Sequence, residues 1–449
     1  MYDVKSIITK RIYLLLISTI FILNITYAQF HGHSGVYYLG TADVPNSVAT
    51  YSNPDISGVV VRFTWNGLET SPGIFNWTFI DGEIAKAVTY NKKVSLQPLS
   101  SPTWLDSIGV QHYYYIDNNT AHPTYGQAVS GNIPWDSIYV KRYKILLQNL
   151  AAKYASDTNV SYINAIGGAF SRNLPDTILT DTALMTKHAF WTAYNYNADT
   201  LGKLMNTITD YYMMHFPSTH LWCSVDYVKF ELKASSRPIN YLASVYTNYG
   251  IANYSDRFGL WREDLSGCNP QLPISTGNQW YLMQQNPCRT GAQMVWNVQD
   301  GPIRMNKCGI LPNTKAIVLD SAVNNGLSLG MRYLEIYAVD IDDATLTNSI
   351  LQANNKLIIK GANCDLNNGI IERYSNNIIS IYPNPTKDNL TIETSKELSL
   401  EIVNLIGQTV YTSNINKKAV INISAFAKGV YIIKLKDEKE TVVKKVVKE

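Results

Sequence analysis

Short apolar runs alternate with longer stretches whose apolar residues recur every three or four positions, from about Ser34 to Lys360. The short runs predict buried strands, and the longer stretches predict amphipathic helices. Strands and helices that alternate in this way are typical of βα units repeated around a parallel sheet. The apolar runs, in chain order, are SGVYYLG, GVVVRF, KKVSLQPL, VSYINAIGG, HLWCSVDY, RFGLWR, GAQMVWNV and RYLEIYAV. Eight parallel strands are what a closed (β/α)8 barrel requires, so we predict an α/β protein with this fold.

The stretch VKRYKILLQNLAAKYA shows the helical pattern most clearly. Its apolar residues recur at steps of three or four, at Val140, Tyr143, Leu147, Leu150 and Tyr154. This spacing predicts a helix with one buried face and one solvated face. The connection after the first apolar run, residues 41–55, lacks such a pattern and is the weakest part of the barrel prediction.

The pattern changes after Cys364, where Asn-rich turns lead into strands that alternate apolar and polar residues. The strands are short and evenly spaced: NLTIET, LSLEIVN, QTVYTSN, AVINISAF, GVYIIKLKD and ETVVKKVVK. Such spacing predicts a small all-β sandwich. We place the boundary near Arg373, which gives a barrel domain over residues 29–372 and a second domain over residues 373–449.

The first residues have the pattern of an export signal. Lys10 and Arg11 precede the apolar run IYLLLISTIFILNITYA, and the small residue Ala28 stands before Gln29. We predict that residues 1–28 are a signal peptide that is cleaved during export. A membrane anchor is the alternative, because the run is nearly long enough to span a bilayer. The small residue Ala28 at the end of the run, with no basic segment after it, favours cleavage. No other transmembrane segment is expected.

The cysteines contain no C-x-x-C pair, which argues against a zinc ribbon or a thioredoxin-type site. Export into an oxidising compartment favours disulfides among the five cysteines. We expect Cys268 to pair with Cys288, because the two flank one short segment. Cys223 lies inside an apolar strand and is predicted to be a buried thiol.

Composition adds a weak indication of function. The charged fraction is only 16%, whereas Tyr (31) and Trp (9) are abundant. Such a chain is solvated by hydroxyl and amide groups more than by ions, which suits secreted proteins that handle carbohydrate. The net charge of +3 comes without a basic block outside the extreme C-terminus, so nucleic-acid binding is not expected.

The functional face of a (β/α)8 barrel lies at the C-terminal ends of its strands. Aromatic rings there stack on the apolar faces of sugar rings, and polar side chains bind the hydroxyl groups. We therefore predict that an oligosaccharide or polysaccharide binds residues that end or follow the strands, namely Arg62, Trp65, Trp104, Trp261, Trp296 and Tyr337. For Trp65 and Trp104, packing is an equally good interpretation.

The segment VVVRFTWNGLETSPGIFNWTFIDGEIAKAVTYNKKVSLQPLSSPTWL resembles the second and third βα units of clan A glycoside hydrolases, including their beta-galactosidase-like branch. The matching residues are Arg62, Trp65, Leu68, Glu69, Pro72, Gly73, Phe75, Trp77, Asp81, Lys93, Val94, Trp104 and Leu105. The resemblance implies a TIM barrel that acts on glycosidic bonds. Pro72 and Gly73 predict a chain reversal before the helix, and Glu69 is expected to be structural.

The chain departs from clan A at the catalytic positions. Those enzymes carry a carboxylate after the fourth strand and another after the seventh, where this chain has GGAFSRN and GAQMVWNVQD. Glycoside hydrolysis needs two carboxyl groups. Glu335 alternates with aliphatic neighbours and is predicted to point into the barrel mouth, either as a catalytic residue or in an ion pair with Arg62 or Arg332. Its predicted catalytic partners are Glu263 and Asp226, with Asp300 as a further possibility.

The tail has its own resemblance. YPNP at Tyr382–Pro385, IVNLIGQTVY around Gly407, GVYIIKL at Gly429–Leu435 and the closing VVKKVVK resemble the C-terminal sorting domain of the type IX secretion system of Bacteroidetes. This implies passage through the periplasm and recognition of residues 380–449 by an outer-membrane translocon. Release into the medium or attachment to the cell surface would follow.

Other chemistries lack their motifs. The chain has no H-E-x-x-H pair for zinc, no G-x-S-x-G nucleophile turn and no G-x-x-x-x-G-K phosphate loop. We therefore expect neither a metal nor a cofactor. The predicted function is that of a secreted or surface glycan-acting protein, a glycoside hydrolase by its resemblance. The alternatives are a carbohydrate-binding barrel that has lost its catalytic pair and a structural surface protein without a ligand.

Overall fold

The computed structural model describes residues 30–117, 120, 124–166, 192–225, 241–299, 305–306, 308–366, 380–404, 408–436 and 441–449. The chain divides into two compact units, residues 1–366 and 367–449. The predicted signal peptide and the predicted boundary at Arg373 lie outside the described residues. Within those ranges, no helix has the length and apolar character that a membrane crossing needs.

Eight parallel strands form a closed barrel in the first unit, which confirms the predicted fold. Each strand pairs with its neighbours in chain order, and the last pairs with the first. All eight coincide with the apolar runs of the sequence. The strands are β1 Gly35–Leu39, β2 Gly58–Thr64, β3 Lys93–Leu99, β4 Val160–Ile166, β5 His220–Ser224, β6 Phe258–Leu265, β7 Thr290–Met294 and β8 Met331–Tyr337.

Helices follow the strands and cover the outside of the barrel. The connection after β1 contains only the short helix Val48–Ser52, in line with its weak sequence pattern. Other short helical turns are Trp65–Leu68, Thr103–Ile108, Ala338–Ile341 and Ala344–Leu346. The main helices are α1 Thr78–Thr89, α2 Ser137–Tyr154, α3 Ala198–His215, α4 Tyr241–Asn253, α5 Gln279–Gln284, α6 Lys315–Ser328 and α7 Thr347–Leu366.

The helix α2 illustrates how the local sequence determines an element. Asp136 caps its N-terminus, since its carboxylate accepts hydrogen bonds from two free backbone N–H groups of the first turn. Tyr143, Leu147 and Tyr154 are buried against the barrel, as the periodicity predicts. Val140 is only partly buried, because the buried face is centred one residue earlier, on Tyr139.

Aromatic side chains fill the interior of the barrel. Tyr162 and Trp222 stack with ring centroids 4.7 Å apart. Gly259 makes room for Trp222, since a Cβ there would lie 2.3 Å from the indole ring. The N-terminal end is closed by Phe30, whose carbonyl accepts a hydrogen bond of 3.0 Å from Arg332. The interior cluster comprises Phe30, Tyr37, Leu39, Val60, Tyr162, Trp222, Trp261 and Tyr333.

Two disulfides link the connections, and they correct the predicted pairing. Cys268 bonds to Cys308, and Cys288 bonds to Cys364, so the expected Cys268–Cys288 bond is wrong. The reason lies in the parallel strands. Cys268 follows the end of β6, whereas Cys288 precedes the start of β7, so the two lie at opposite ends of the barrel. Cys223 is buried in β5 and takes part in neither disulfide.

The second unit is all-β, as predicted, and its strands pair antiparallel. Its strands form one five-stranded sheet, in which the long central strand pairs on both sides. Alternate side chains, among them Leu390, Ile392, Leu400 and Ile433, are buried in its core. The strands are β9 Ser380–Tyr382, β10 Asn389–Asn404, β11 Thr409–Asn422, β12 Gly429–Lys436 and β13 Thr441–Lys448.

Candidate functional site

Polar side chains lie on the inward face of the barrel strands toward their C-terminal ends. Glu335 is on this face, as the sequence predicts, because Leu334 and Ile336 pack in the outer hydrophobic core instead. In the strand register, Glu335 of β8 aligns with Tyr37 of β1 and Gln293 of β7. Neighbouring strands therefore bring a carboxyl, a phenol and an amide together below the mouth.

A tyrosine holds the Glu335 carboxyl in place. Glu335 is 0% exposed, and its Oε1 accepts a hydrogen bond of 2.8 Å from the Tyr333 hydroxyl. Burial, followed by the charge of Glu335, raises the pKa of Tyr333 well above its ordinary value. The phenol consequently stays protonated and remains a donor to Glu335.

Three amides line the same interior, and sequence reasoning missed them. Asn164 of β4 is 1% exposed, and neither its Oδ1 nor its Nδ2 has a hydrogen-bond partner among the described residues. The Oε1 atoms of Gln97 and Gln293 are also buried without a hydrogen-bond partner among the described residues. Leu96 of β3 aligns with Ile163 of β4, so the next residues along the two adjacent strands are Gln97 and Asn164. A buried amide atom without a partner costs about 1–3 kcal/mol, so these groups favour a polar ligand.

The alternation of polar and apolar residues in two strands was the signal for these amides. KKVSLQPL places Ser95 and Gln97 on one face, and VSYINAI places Asn164 inward. The amides are neither charged nor aromatic, so they do not stand out among the residues at the strand ends.

Trp65 and Trp104 belong to a packed cluster at the edge of the barrel. Trp65 is buried in the hydrophobic core, and its Nε1 donates a hydrogen bond of 2.7 Å to the Glu69 carboxylate. The Trp104 indole donates to the Glu69 carbonyl at 2.7 Å and meets Trp65 edge to face. Arg142 forms an ion pair with Glu69 and lies over the Trp104 ring. These contacts favour packing over ligand binding for Trp65, and they agree with the structural role expected for Glu69.

The other predicted binding residues occupy different depths. Arg62 is partly buried, and its Nη1 donates to the Gly40 carbonyl at 3.4 Å. Trp261 is fully buried in the interior cluster rather than at the rim. Trp296 follows β7 and is exposed. Tyr337 accepts a hydrogen bond of 3.2 Å from Gln293 and donates one of 3.4 Å to the Val295 carbonyl.

The structure describes one of the three predicted partners of Glu335, namely Glu263. Glu263 lies two residues beyond Trp261 on β6 and is partly exposed, at a point where the pairing register of β6 with β7 shifts between Arg262 and Leu265. Asp226 and Asp300 lie outside the described residues. Among the residues that are described, no group of three or more His, Cys, Asp or Glu side chains could hold a metal ion.

Asp340 follows β8 and fixes a neighbouring connection. Both of its carboxylate oxygens accept a hydrogen bond of 3.0 Å from the backbone N–H of Val298. Burial raises the pKa of Asp340 to about 6, against the opposing effect of the hydrogen bond from Val298. The residue therefore ties the β7 and β8 connections together beneath the rim.

Comparison with known proteins identifies the second unit. Residues 380–449 match the family model of the secretion system C-terminal sorting domain. The chain carries a sorting domain of the type IX system, as the tail motifs predict. No curated protein matches the chain.

The solved structures that are similar to the chain include the following two. One is the catalytic domain of beta-amylase from Paenibacillus polymyxa, with 12% identity and a TM-score of 0.46 over 74% of this chain and 100% of that one. The other is a calcium-binding mutant of Bacteroides uniformis beta-glucuronidase 2, with 8% identity and a TM-score of 0.32. That alignment covers 94% of this chain and 47% of the other.

Proposed function

We propose that the chain is an exported glycan-acting protein whose barrel mouth binds an oligosaccharide or polysaccharide. The buried amides of Gln97, Asn164 and Gln293 are the observation that supports this proposal. A sugar hydroxyl both donates and accepts hydrogen bonds, so it satisfies amide oxygens and amide nitrogens alike. Neutral amides inside a barrel also suit a neutral polyhydroxyl ligand better than a charged one.

We further propose that the bound glycan is hydrolysed, with Glu335 and Glu263 as the two carboxyl groups. Glu335 lies on the inward face of β8, and Glu263 lies near the C-terminal end of β6 and is partly exposed. One carboxyl would protonate the leaving oxygen, and the other would attack the sugar or activate water. Asp226, after β5, is the other proposed partner of Glu335.

A second function, glycan binding without turnover, is favoured by a specific observation. Glu335 is fully buried and accepts a hydrogen bond from Tyr333, an arrangement that also suits a purely structural carboxyl. The two functions share the same binding site and differ only in whether a product forms.

The sorting domain supports an extracellular site of action. Residues 380–449 would bind the type IX translocon after the chain has crossed the inner membrane on its predicted signal peptide. Release into the medium or attachment to the outer surface would then place the barrel among extracellular polysaccharides.

The experiment incubates the mature chain, from Gln29 to its end, with a panel of polysaccharides. Release of reducing ends measures hydrolysis, and retardation in polysaccharide gels measures binding. Hydrolysis that Glu335→Gln abolishes while retardation persists supports the enzyme. Retardation without product from the unmodified chain supports the binder, and the absence of both overturns the proposal.

A matched pair of variants tests the amide site itself. Asn164→Ala should weaken retardation about 10-fold, since a lost pair of hydrogen bonds costs roughly 1–2 kcal/mol. Asn206→Ala is the control, because Asn206 on the outer helix α3 also carries a buried amide oxygen without a partner among the described residues. It should leave glycan binding unchanged.

A further inference from the structure

A β-hairpin with an exposed aromatic face follows β3. Its strands are His112–Ile116 and Ala128–Asn132, and they pair antiparallel. Tyr114 is 63% exposed, Ile116 is 51% exposed, and Tyr125, near the turn, is 55% exposed. We call these three residues the hairpin strip. Large apolar groups exposed together on a defined element commonly mark a binding surface.

The hairpin is anchored to the barrel through its other face. Tyr113, adjacent to Tyr114, is fully buried in the hydrophobic core. The Tyr113 hydroxyl packs against Gly131 so closely that a Cβ at position 131 would lie 2.0 Å from the phenol oxygen. Asn132 donates a hydrogen bond of 3.0 Å to Ser101, just beyond the end of β3. The strip is thus presented on a firmly held support.

The hairpin stands on the same side of the mouth as the buried amides. It begins beyond β3, which carries Gln97. The backbone N–H of Tyr114 donates at 3.3 Å to the hydroxyl of Tyr194, a residue in the connection after β4, which carries Asn164. The hairpin therefore lies beside the connections that follow the two strands carrying Gln97 and Asn164.

We propose that the hairpin strip is a secondary binding surface for a polysaccharide that extends out of the barrel mouth. The proposal rests on the proposed function and narrows its substrate class to polymers. Tyr side chains offer a rigid apolar face for the C–H groups of a sugar ring and a hydroxyl for its polar edge. Ser130 faces Tyr114 across the hairpin, so a hydroxyl group stands opposite this ring.

The experiment compares a polysaccharide bound by the mature full-length chain with a two- or three-unit oligosaccharide of the same glycan. Tyr114→Ala and Tyr125→Ala are measured separately and together by calorimetry. Each single variant should weaken binding of the polymer about 3- to 10-fold, the usual effect of losing one aromatic stacking contact. Affinity for the short oligosaccharide should not change, because it occupies only the mouth.

Tyr90→Ala provides the matched control. Tyr90 is exposed at the C-terminal end of α1, which leads into the start of β3 and so lies at the opposite end of the barrel. Its removal should leave both affinities unchanged. Tyr114→Trp, which keeps a large ring, should retain the affinity for the polymer.

The outcomes separate this inference from the proposed function. If both glycans bind and the strip variants leave polymer affinity unchanged, the inference is overturned while the proposed function stands. Equal losses of affinity for the polymer and the oligosaccharide also overturn the inference, since the variants would then affect binding in the barrel mouth itself. Binding of neither glycan by the unmodified chain ends both. If sedimentation shows that the variants only dissociate a dimer, the strip is a protein interface instead.

Discussion

Tyr333 donates a hydrogen bond of 2.8 Å to Glu335, two positions further along β8, and both side chains are shielded from solvent. The alternation of the strand puts both on the inward face. The Tyr333 ring is itself held against Tyr37, with ring centroids 4.3 Å apart. The aromatic interior therefore determines where the carboxyl of Glu335 sits, and Tyr333 is a positioning residue.

We predict that Tyr333→Phe destabilises the barrel by about 1–3 kcal/mol, because a buried Glu335 oxygen loses this donor. Urea denaturation followed by circular dichroism measures the effect. Tyr212→Phe is the control, since the Tyr212 hydroxyl is buried without a partner among the described residues. That variant should be as stable as the unmodified chain or more so. Equal stability of all three proteins would contradict the prediction.

Two histidines near the N-terminal end of the barrel should make stability depend on pH. Burial, then the nearby His33 and Arg332, lowers the pKa of His220 to about 4. Burial, then Lys93 and Arg332, lowers the pKa of His33 to about 4. The unfolded chain, with an ordinary histidine pKa near 6.5, binds more protons between these values. Stability is therefore complete above about pH 6.5 and falls as the pH drops toward 4.

His220→Gln tests this dependence. Glutamine does not titrate, so the variant should lose roughly 2 kcal/mol less stability than the unmodified chain between pH 7 and pH 4.5. The figure follows from about 1.36 kcal/mol for each unit of pKa shift. Urea denaturation at several pH values gives the measurement. A variant whose stability falls as steeply as that of the unmodified chain would show that His220 is not responsible.

The barrel could be predicted from the sequence because its signal is local and repeated. Each buried strand is a run such as GVVVRF, and each helix has its own periodicity, so eight weak indications add up. Burial of Cys223 followed from the same local pattern. The pairing of Cys268 with Cys308 could not be predicted, since it depends on which end of the barrel each connection occupies.

The candidate site was only partly predictable. The inward direction of Glu335 followed from strand alternation alone. The depth of a side chain did not, because Trp65 follows β2 and Trp261 lies within β6, yet both are buried. Depth depends on barrel tilt and on the packing of neighbours such as Tyr143, which are distant in sequence. The amides of Gln97 and Asn164 become notable only once their surroundings are known.

The disulfide between Cys268 and Cys308 can be checked directly. Proteolysis without reduction should yield a linked peptide with these two cysteines and another with Cys288 and Cys364. The double variant Cys268→Ser with Cys308→Ser should lose about 4 kcal/mol, from the entropy of the 40-residue separation that the bond closes. A peptide that links Cys268 to Cys288 would contradict the observed pairing.

Glu69 should be among the most costly residues to remove from the barrel. Its buried carboxylate accepts hydrogen bonds of 2.7 Å from Trp65 and from the backbone of Gly73, and it pairs with Arg142. Glu69→Ala would leave the mostly buried Arg142 without this partner, so we expect a loss of about 3–5 kcal/mol in urea denaturation. Lys153→Ala, which removes a solvent-accessible ion pair, should cost less than about 1 kcal/mol. Similar losses for the two variants would show that the Glu69 cluster does not hold the loop, and its tryptophans would again be candidates for ligand binding.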